Sequence, residues 1–223
     1  MKVWVTRSQP GASATAGRLR GLGHDPIVAP LLAVEPLPAD LDLTGVSAVA
    51  FTSANAARLF AEREPRRDLT VWAVGGATAR TARDAGFGDV RSSEGDVAGL
   101  AAAIAAGQAA GTTVLHACAA EPAGDLEAPL AAAGIGYVGV PLYRTREAEA
   151  DEHVLGALRD ARAVLLHSPK GARALSRLLA RHPHRLERAL CLSEAVARAL
   201  DGGKIRDVAC APLPNDAALL KLL

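Results

Sequence analysis

The hydrophobic pattern of the chain alternates between short, continuous apolar runs and longer segments with helical spacing. Residues 46–51 form one such apolar run and predict a buried strand. Ala56, Leu59 and Phe60 follow at the spacing of one helix face, and the same order of strand and helix recurs along the chain. Because the predicted strands are apolar on both sides, we expect parallel sheets that are covered by helices on both faces.

An internal repeat divides the chain into two kinds of segment. Segment A occurs as residues 3–31 and again as residues 114–142, and each copy is predicted as strand, helix and strand. Segment B begins as residues 48–60 and again as residues 163–175, and it continues through strand, helix, short strand and a final helix. This final helix is expected over residues 97–106 in the first copy and residues 215–223 in the second. One A and one B together supply about five strands, the size of a flavodoxin-like sheet. We therefore predict an α/β protein with two flavodoxin-like parallel-sheet domains.

Two segments without regular periodicity separate these copies. Residues 35–38 are proline-rich and residues 143–148 are charged, so both are candidate interdomain connectors. If the chain crosses between domains at both places, residues 1–34 and 149–223 form a discontinuous domain 1, and residues 39–142 form an inserted domain 2. Two consecutive domains, each with one A and one B, are the alternative, and periodicity does not separate the two arrangements.

Composition and charge exclude several function classes. Half of the 223 residues are hydrophobic, but no apolar run reaches the length of a membrane span, so we predict no membrane partner. The N-terminal residues lack the apolar segment of a secretory signal, and we expect a cytoplasmic protein. The net charge of +1 argues against nucleic-acid binding.

The sequence predicts neither a metal site nor a nucleophilic triad. The three cysteines share no paired spacing, and the six histidines form no ligand cluster, so we expect no metal. His167 adjoins Ser168, but no acid partner is evident in the sequence, and a Ser–His–Asp arrangement is therefore not predicted.

Small polar residues gather where a predicted strand gives way to a helix. Unpaired backbone N–H groups and the helix dipole make such corners attractive to anions, and in a parallel sheet the corners lie at the carboxyl ends of the strands, where ligands bind. Helix capping explains any one of these residues, whereas the full set favours a binding site. The candidate binding residues are Thr6, Arg7, Ser53, Asn55, Gly75, Gly76, Thr78, His116, Ser168 and Lys170.

Several motifs, taken in order, resemble the uroporphyrinogen-III synthase family. The resemblance covers essentially the whole chain and implies two flavodoxin-like domains joined by a two-stranded connector, with the discontinuous arrangement of segments. The motifs are Val5-Thr6-Arg7, Phe51-Thr52-Ser53-Ala54-Asn55-Ala56, Ala73-Val74-Gly75-Gly76-Ala77-Thr78-Ala79, Pro141-Leu142-Tyr143-Arg144-Thr145, Leu166-His167-Ser168-Pro169 and Ala211-Pro212-Leu213-Pro214.

The resemblance also implies an activity. It implies a cyclising hydro-lyase of tetrapyrrole biosynthesis that converts hydroxymethylbilane to uroporphyrinogen III, with inversion of ring D and loss of water. The substrate would lie in a cleft between the domains, no cofactor or metal would be needed, and we expect a monomer. A catalytically silent tetrapyrrole- or anion-binding paralogue of the same fold is the alternative.

Tyr143 is the candidate catalytic residue. It matches the tyrosine that is favoured in the family, and a phenol at this position could donate a proton or a hydrogen bond to the departing hydroxyl. A packed aromatic side chain at a hinge is the alternative. Arg7 could hold one of the eight substrate carboxylates in a bidentate pair, and a surface arginine without such a role is the alternative.

The sequence departs from the family pattern at two corners. Ser193-Glu194-Ala195-Val196 stands where a Gly-Pro-x-Thr-Ala type of turn is expected, and Glu194 adds negative charge near an acidic substrate. Residues 7–10 replace an Arg-Pro pair. Either Glu194 points away from the substrate, or this half of the protein binds it differently.

Overall fold

The structure is a computed structural model, and its contacts divide the chain into two compact units. Unit 1 comprises Met1–Ala33 and Arg146–Leu223, and unit 2 comprises Val34–Thr145. The chain thus leaves unit 1 once and returns to it once. The described residues are 1–9, 11–93, 95–201 and 205–223.

Unit 1 contains a five-stranded sheet with helices between its strands. Elements are numbered along the whole chain. The strands of this sheet are β1 (Lys2–Val5), β2 (Asp25–Val28), β9 (Ala163–Leu166), β10 (Arg188–Cys191) and β11 (Asp207–Cys210). The helices are α1 (Gly11–Gly21), α6 (Glu152–Asp160), α7 (Pro169–Leu179), α8 (Glu194–Arg198) and α9 (Asp216–Leu220). The spatial order is β2-β1-β9-β10-β11, and neighbouring strands are parallel.

Unit 2 is built on a six-stranded sheet. Its strands are β3 (Leu32–Pro36), β4 (Val46–Phe51), β5 (Thr70–Val74), β6 (Val90–Ser93), β7 (Thr113–Ala119) and β8 (Gly136–Glu147). Its helices are α2 (Ala54–Arg63), α3 (Gly75–Asp84), α4 (Val97–Gly107) and α5 (Glu127–Ala132). The spatial order is β3-β8-β7-β4-β5-β6, and the strands from β8 to β6 are parallel to their neighbours. The two crossings between the units fall within the neighbouring strands β3 and β8.

The central strands of each sheet are buried on both faces, as the continuous apolar runs predict. In β1, Trp4 belongs to one hydrophobic cluster, while Val3 and Val5 belong to another on the opposite face. In β4, Phe51 packs on one face and Ala50 on the other. The predicted α/β class with parallel sheets is therefore confirmed.

The internal repeat explains why the two sheets share one strand order. In each unit, the second and first strands of segment A are followed by the three strands of segment B. This is the order of flavodoxin-like sheets. Unit 2 differs from unit 1 in two respects: segment B precedes segment A along the chain, and the additional strand β3 lies next to β8.

The two segment B corners are nearly identical in conformation. Ser53 precedes α2 with φ −154° and ψ 151°, and Ser168 precedes α7 with φ −152° and ψ 152°. Each serine hydroxyl accepts a hydrogen bond of 3.1 Å from the backbone N–H three residues further on, at Ala56 and at Gly171 respectively. Both serines therefore cap their helices in the same way.

Two element boundaries differ from the sequence-based expectation. The final helix, expected over residues 215–223, spans only Asp216–Leu220. The strand expected to end near residue 142 continues to Glu147 in β8. In this charged extension, Arg144 Nη2 lies 2.7 Å from Glu35 Oε1 and Arg144 Nε lies 3.1 Å from Glu35 Oε2. This ion pair links β8 to the neighbouring strand β3 in a segment that lacks apolar alternation.

We predict that Gly107→Ala destabilises the protein. A β-carbon at Gly107, the last residue of α4, would overlap the ring of Trp72. Overpacking of this kind costs about 1–3 kcal/mol, which urea denaturation should detect as a lower free energy of unfolding. Gly21→Ala is the matched control, since Gly21 ends α1 with no heavy atom within 4 Å of a β-carbon there. Equal stability of the two variants would contradict the predicted clash.

Candidate functional site

Each sheet has one point at which the strand order reverses. In unit 1 this point lies between β1 and β9, and in unit 2 it lies between β7 and β4. Ligands of open α/β sheets bind at the carboxyl ends of the strands that flank such a point. Most of the predicted site residues lie on these flanking strands or directly after them.

In unit 2 the structure brings Ser53 and Tyr143 into direct contact. Their hydroxyl oxygens are 2.8 Å apart, although 90 residues separate them in the sequence. Tyr143 is 7% exposed. Burial raises the pKa of its phenol, and the hydrogen bond with Ser53 only partly offsets this. Tyr143 is therefore protonated at neutral pH and remains able to donate a hydrogen bond.

The predicted candidate His116 is buried in a chain of hydrogen bonds. Its Nε2 atom lies 3.0 Å from the Thr52 hydroxyl, and its Nδ1 atom lies 3.0 Å from the Tyr137 hydroxyl. Burial lowers the pKa of His116 to about 4, so the ring is neutral and has one N–H and one lone pair. Both nitrogens are engaged within the protein. At the carboxyl end of β4 its contact is the hydroxyl of Thr52.

The N-terminus of α3 carries no side-chain cap. Val74 precedes the helix and makes no capping hydrogen bond. Gly75 has φ +70°, which favours glycine, and a β-carbon at Gly75 or Gly76 would meet no heavy atom within 4 Å. Gly75 and Gly76 thus leave open space beside the start of α3, whereas Thr78 is buried, with 5% exposure.

Asn55 supplies a hydrogen-bond acceptor that the unit does not use. It is the second residue of α2, and its Oδ1 atom is buried without a hydrogen-bond partner among the described residues. A buried acceptor in this condition costs about 1–3 kcal/mol, so it is a candidate to receive a donor from a ligand.

In unit 1 the carboxylate of Asp216 contacts side chains of α1 and side chains that follow β1 and β9. It lies 3.0 Å from His167 Nε2, 3.0 Å from the Thr15 hydroxyl, 2.5 Å from Arg18 Nη1 and 3.5 Å from Arg7 Nη1. Burial would raise the pKa of Asp216, but the hydrogen bonds and charges of its neighbours, above all His167, outweigh it and lower the pKa to about 2. Asp216 is therefore a carboxylate at neutral pH.

The structure gives His167 an acid partner that is not evident in the sequence. Asp216 is that partner, and sequence reasoning missed it because 49 residues separate the two. Burial lowers the pKa of His167, and the hydrogen bond with Asp216 opposes this shift. The Ser168 hydroxyl is not linked to His167 by any hydrogen bond among the described residues, but accepts one from Gly171. The pair is thus not part of a Ser–His–Asp triad.

The remaining predicted residues of unit 1 lie at the same edge. The Thr6 hydroxyl donates to the carbonyl of Leu165 at 2.6 Å and ties the end of β1 to β9. Ser168 caps α7, and Lys170 is a partly exposed residue in the first turn of that helix. Arg7 is the second residue after β1, and its side chain is about one-third exposed.

Glu194, at the first departure from the family pattern, lies on the surface of unit 1. Its side chain is 81% exposed and pairs with Arg198 at 3.4 Å along α8. Within the departure at residues 7–10, Pro10 lies outside the described residues.

Two kinds of feature are absent from the described residues. No three His, Cys, Asp or Glu side chains in this part of the chain are grouped so as to hold a metal ion. None of its helices combines the length and the apolar character needed to span a membrane.

Comparison with known proteins identifies similar sequences and folds. A profile of the family described as uroporphyrinogen-III synthase HemD matches residues 13–221. The fold is similar to the crystal structure of uroporphyrinogen-III synthetase from Helicobacter pylori, with a TM-score of 0.70 and 20% identity over 99% of this chain and 96% of that chain. It is also similar to a mutant uroporphyrinogen III synthase from the extremely thermophilic bacterium Thermus thermophilus, with a TM-score of 0.50 and 18% identity over 99% and 96% of the two chains. No curated protein matches the sequence.

We predict that burial of His116 makes stability depend on pH. The pKa of His116 is about 4 in the folded protein and near its ordinary 6.5 when unfolded, so its contribution is complete above pH 6.5 and is lost as the pH falls towards 4. Between pH 7 and pH 4.5, the free energy of unfolding of the wild type should fall by about 2 kcal/mol more than that of His116→Gln. Urea denaturation at both pH values measures this, and parallel losses would contradict the assignment.

Proposed function

Because the chain belongs to the uroporphyrinogen-III synthase family, we propose that it cyclises hydroxymethylbilane to uroporphyrinogen III, with inversion of ring D and loss of water. The observation that carries this proposal is the family profile, which matches residues 13–221 and hence almost the entire chain. The protein is then a cyclising hydro-lyase of tetrapyrrole biosynthesis.

The two compact units correspond in this proposal to the two domains of the family. Residues 1–34 and 149–223 form domain 1, residues 39–142 form domain 2, and residues 35–38 and 143–148 connect them. The support is that the contacts divide the chain close to these positions, after residue 33 and after residue 145.

The substrate has eight carboxylates, and the corners of both units offer groups that bind them. Uncapped N–H groups at the start of α3, hydroxyl groups, and the charges of Arg7 and Lys170 all favour anions. The proposed substrate-binding residues are Thr6, Arg7, Ser53, Asn55, Gly75, Gly76, Thr78, His116, Ser168 and Lys170. Thr6 and His116 contribute indirectly, because their polar atoms are engaged with other protein groups.

Tyr143 acts on the departing hydroxyl in this proposal. Its phenol is neutral and is held by Ser53, so it can donate a hydrogen bond to the oxygen as the carbon–oxygen bond breaks. Because burial raises the pKa of the phenol, formation of a full phenolate is unfavourable. A strong hydrogen bond to the leaving oxygen is therefore favoured over complete proton transfer from Tyr143.

The protein works in this proposal as a cytoplasmic monomer that binds neither nucleic acid nor a membrane. The net charge of +1 supports the absence of a nucleic-acid partner, since proteins that bind nucleic acids present strongly basic surfaces.

The test of the proposed function is the isomer composition of the product. Purified protein is supplied with hydroxymethylbilane, and the isomers I and III of uroporphyrinogen are separated and quantified. We expect isomer III in large excess, because unaided closure gives the non-inverted isomer I. A product no richer in isomer III than the protein-free reaction would overturn the proposal.

We predict that Tyr143→Phe lowers kcat more than Ser53→Ala. Loss of the phenol hydroxyl removes the group next to the leaving oxygen and should cost roughly 10²-fold or more in kcat. Loss of the Ser53 hydroxyl removes a cap and one contact to Tyr143, so stability should fall by about 1 kcal/mol, and kcat by less than about tenfold. Steady-state kinetics and thermal denaturation of both variants measure these effects. Equal losses in kcat would remove the special role of Tyr143.

A further inference from the structure

The guanidinium group of Arg7 is partly buried and has hydrogen-bond donors to spare. Its side chain is 35% exposed, and no hydrogen bond among the described residues uses its N–H groups. Its one ion pair in this part of the chain is with Asp216 at 3.5 Å, and Arg18 approaches the same carboxylate more closely, at 2.5 Å. Two arginines thus share one carboxylate, and the guanidinium group of Arg7 has no acceptor at normal hydrogen-bond distance among the described residues.

The local backbone fixes where Arg7 can lie. The preceding residue, Thr6, is tied to Leu165 of β9 by a hydrogen bond of 2.6 Å. The guanidinium lies against Gly11 in the first turn of α1, where a β-carbon would be 2.5 Å from its Cζ and Nε atoms. Gly11 therefore provides the space that Arg7 occupies, because real β-carbons do not approach so closely.

Asp216 is itself held from several sides. His167 Nε2 donates to one carboxylate oxygen at 3.0 Å, and the Thr15 hydroxyl donates to the other at 3.0 Å. The side chain of His167 is 10% exposed, and its Nδ1 atom is buried without a hydrogen-bond partner among the described residues. The ring therefore makes its one described hydrogen bond to Asp216, and this bond fixes the carboxylate that faces Arg7.

We propose that Asp216 is the positioning residue of a carboxylate-binding subsite in unit 1, in which Arg7 grips the ligand. The local charge favours an anion, because Arg7 and Arg18 together exceed the single carboxylate of Asp216. The subsite lies next to the N-terminus of α7, which follows the neighbouring strand and attracts anions. The identity of the ligand as an acetate or propionate group of the substrate rests on the proposed function.

The NMR signal of the Arg7 Nε–H group tests this subsite without turnover. The probe is a monopyrrole that carries one acetate and one propionate, titrated into the ¹⁵N-labelled full chain. In the wild type we expect the signal to shift, and Arg7→Lys, which lacks it, provides the assignment. Asp216→Asn raises the local positive charge but removes the group that holds the guanidinium of Arg7 in place. We expect the loss of positioning to outweigh the gain in charge and to weaken binding of the probe at this signal by about fivefold or more. A wild-type signal that does not shift, or equal affinities in wild type and Asp216→Asn, would overturn the proposal.

Kinetics with hydroxymethylbilane separate positioning from a general structural effect. Asp216→Asn and Arg7→Lys should each raise KM by about tenfold and change kcat by less than about twofold, since binding is lost rather than chemistry. The double variant should be no worse than Arg7→Lys alone, because Asp216 acts through Arg7. Effects on KM that multiply in the double variant would contradict the positioning role.

Gly11→Ala keeps the test valid if Asp216→Asn folds poorly. Alanine has a higher helix propensity than glycine, so the substitution should not lower the midpoint of thermal unfolding by weakening α1. The new methyl group would displace the guanidinium of Arg7. We expect KM to rise as in Arg7→Lys, and an unchanged KM would overturn the proposal. Asp160→Asn is the matched control, since that exposed carboxylate pairs with Lys2 at 2.9 Å in the same unit. It should leave KM and the Arg7 signal unchanged.

The subsite and the proposed function can fail separately. A wild type that forms no excess of isomer III, yet shows an Arg7 signal that shifts with the monopyrrole and responds to Asp216→Asn, would refute the function and retain the subsite. A wild type that forms isomer III while the Arg7 signal does not respond would refute the subsite and retain the function.

Discussion

The parallel direction of the strands is the constraint on which the candidate site depends. When all strands of a sheet point the same way, every turn from strand to helix lies at one edge, and the first N–H groups of each helix lack partners there. Residues far apart in the sequence, such as Ser53 and Tyr143, meet for this reason. The same constraint applies in unit 1, where Arg7 and His167 follow neighbouring parallel strands and Asp216 joins them. The parallel strand topology therefore brings the polar groups of each candidate site together at one edge of its sheet.

The carboxyl edges of the two sheets present different kinds of polar group. In unit 2 the groups near the reversal of strand order are neutral, since Tyr143 keeps its proton and burial holds His116 uncharged. In unit 1 the corresponding groups are ionic, with Arg7 and Arg18 around Asp216. Neutral hydroxyls suit the control of a leaving oxygen, whereas arginines suit the binding of carboxylates. In the proposed function, the repeated fold thus divides reaction control and carboxylate binding between its two copies.

The sequence predicted those features that depend on local patterns. The strand predicted over residues 46–51 matches β4, because a short continuous apolar run is typical of a strand that is buried on both faces. The capping roles of Ser53 and Ser168 follow from their positions between a strand and a helix. The contacts of Asp216 with His167 and Arg7 could not be predicted, since many exposed acids are equivalent in sequence and only the fold selects one. The chain from Tyr137 through His116 to Thr52 was missed for the same reason.

The most direct measurement of the central claim is an amide NMR titration of the full chain with uroporphyrin III, the stable oxidised form of the proposed product. We expect the amide signals that shift to belong to the carboxyl edges of both sheets, around residues 53–56 and 75–78 in unit 2 and residues 168–171 in unit 1. The amino-terminal ends of the strands should be unaffected. Shifts that are confined to one unit, or that occur at the amino-terminal ends, would contradict the claim that both repeated edges bind the tetrapyrrole.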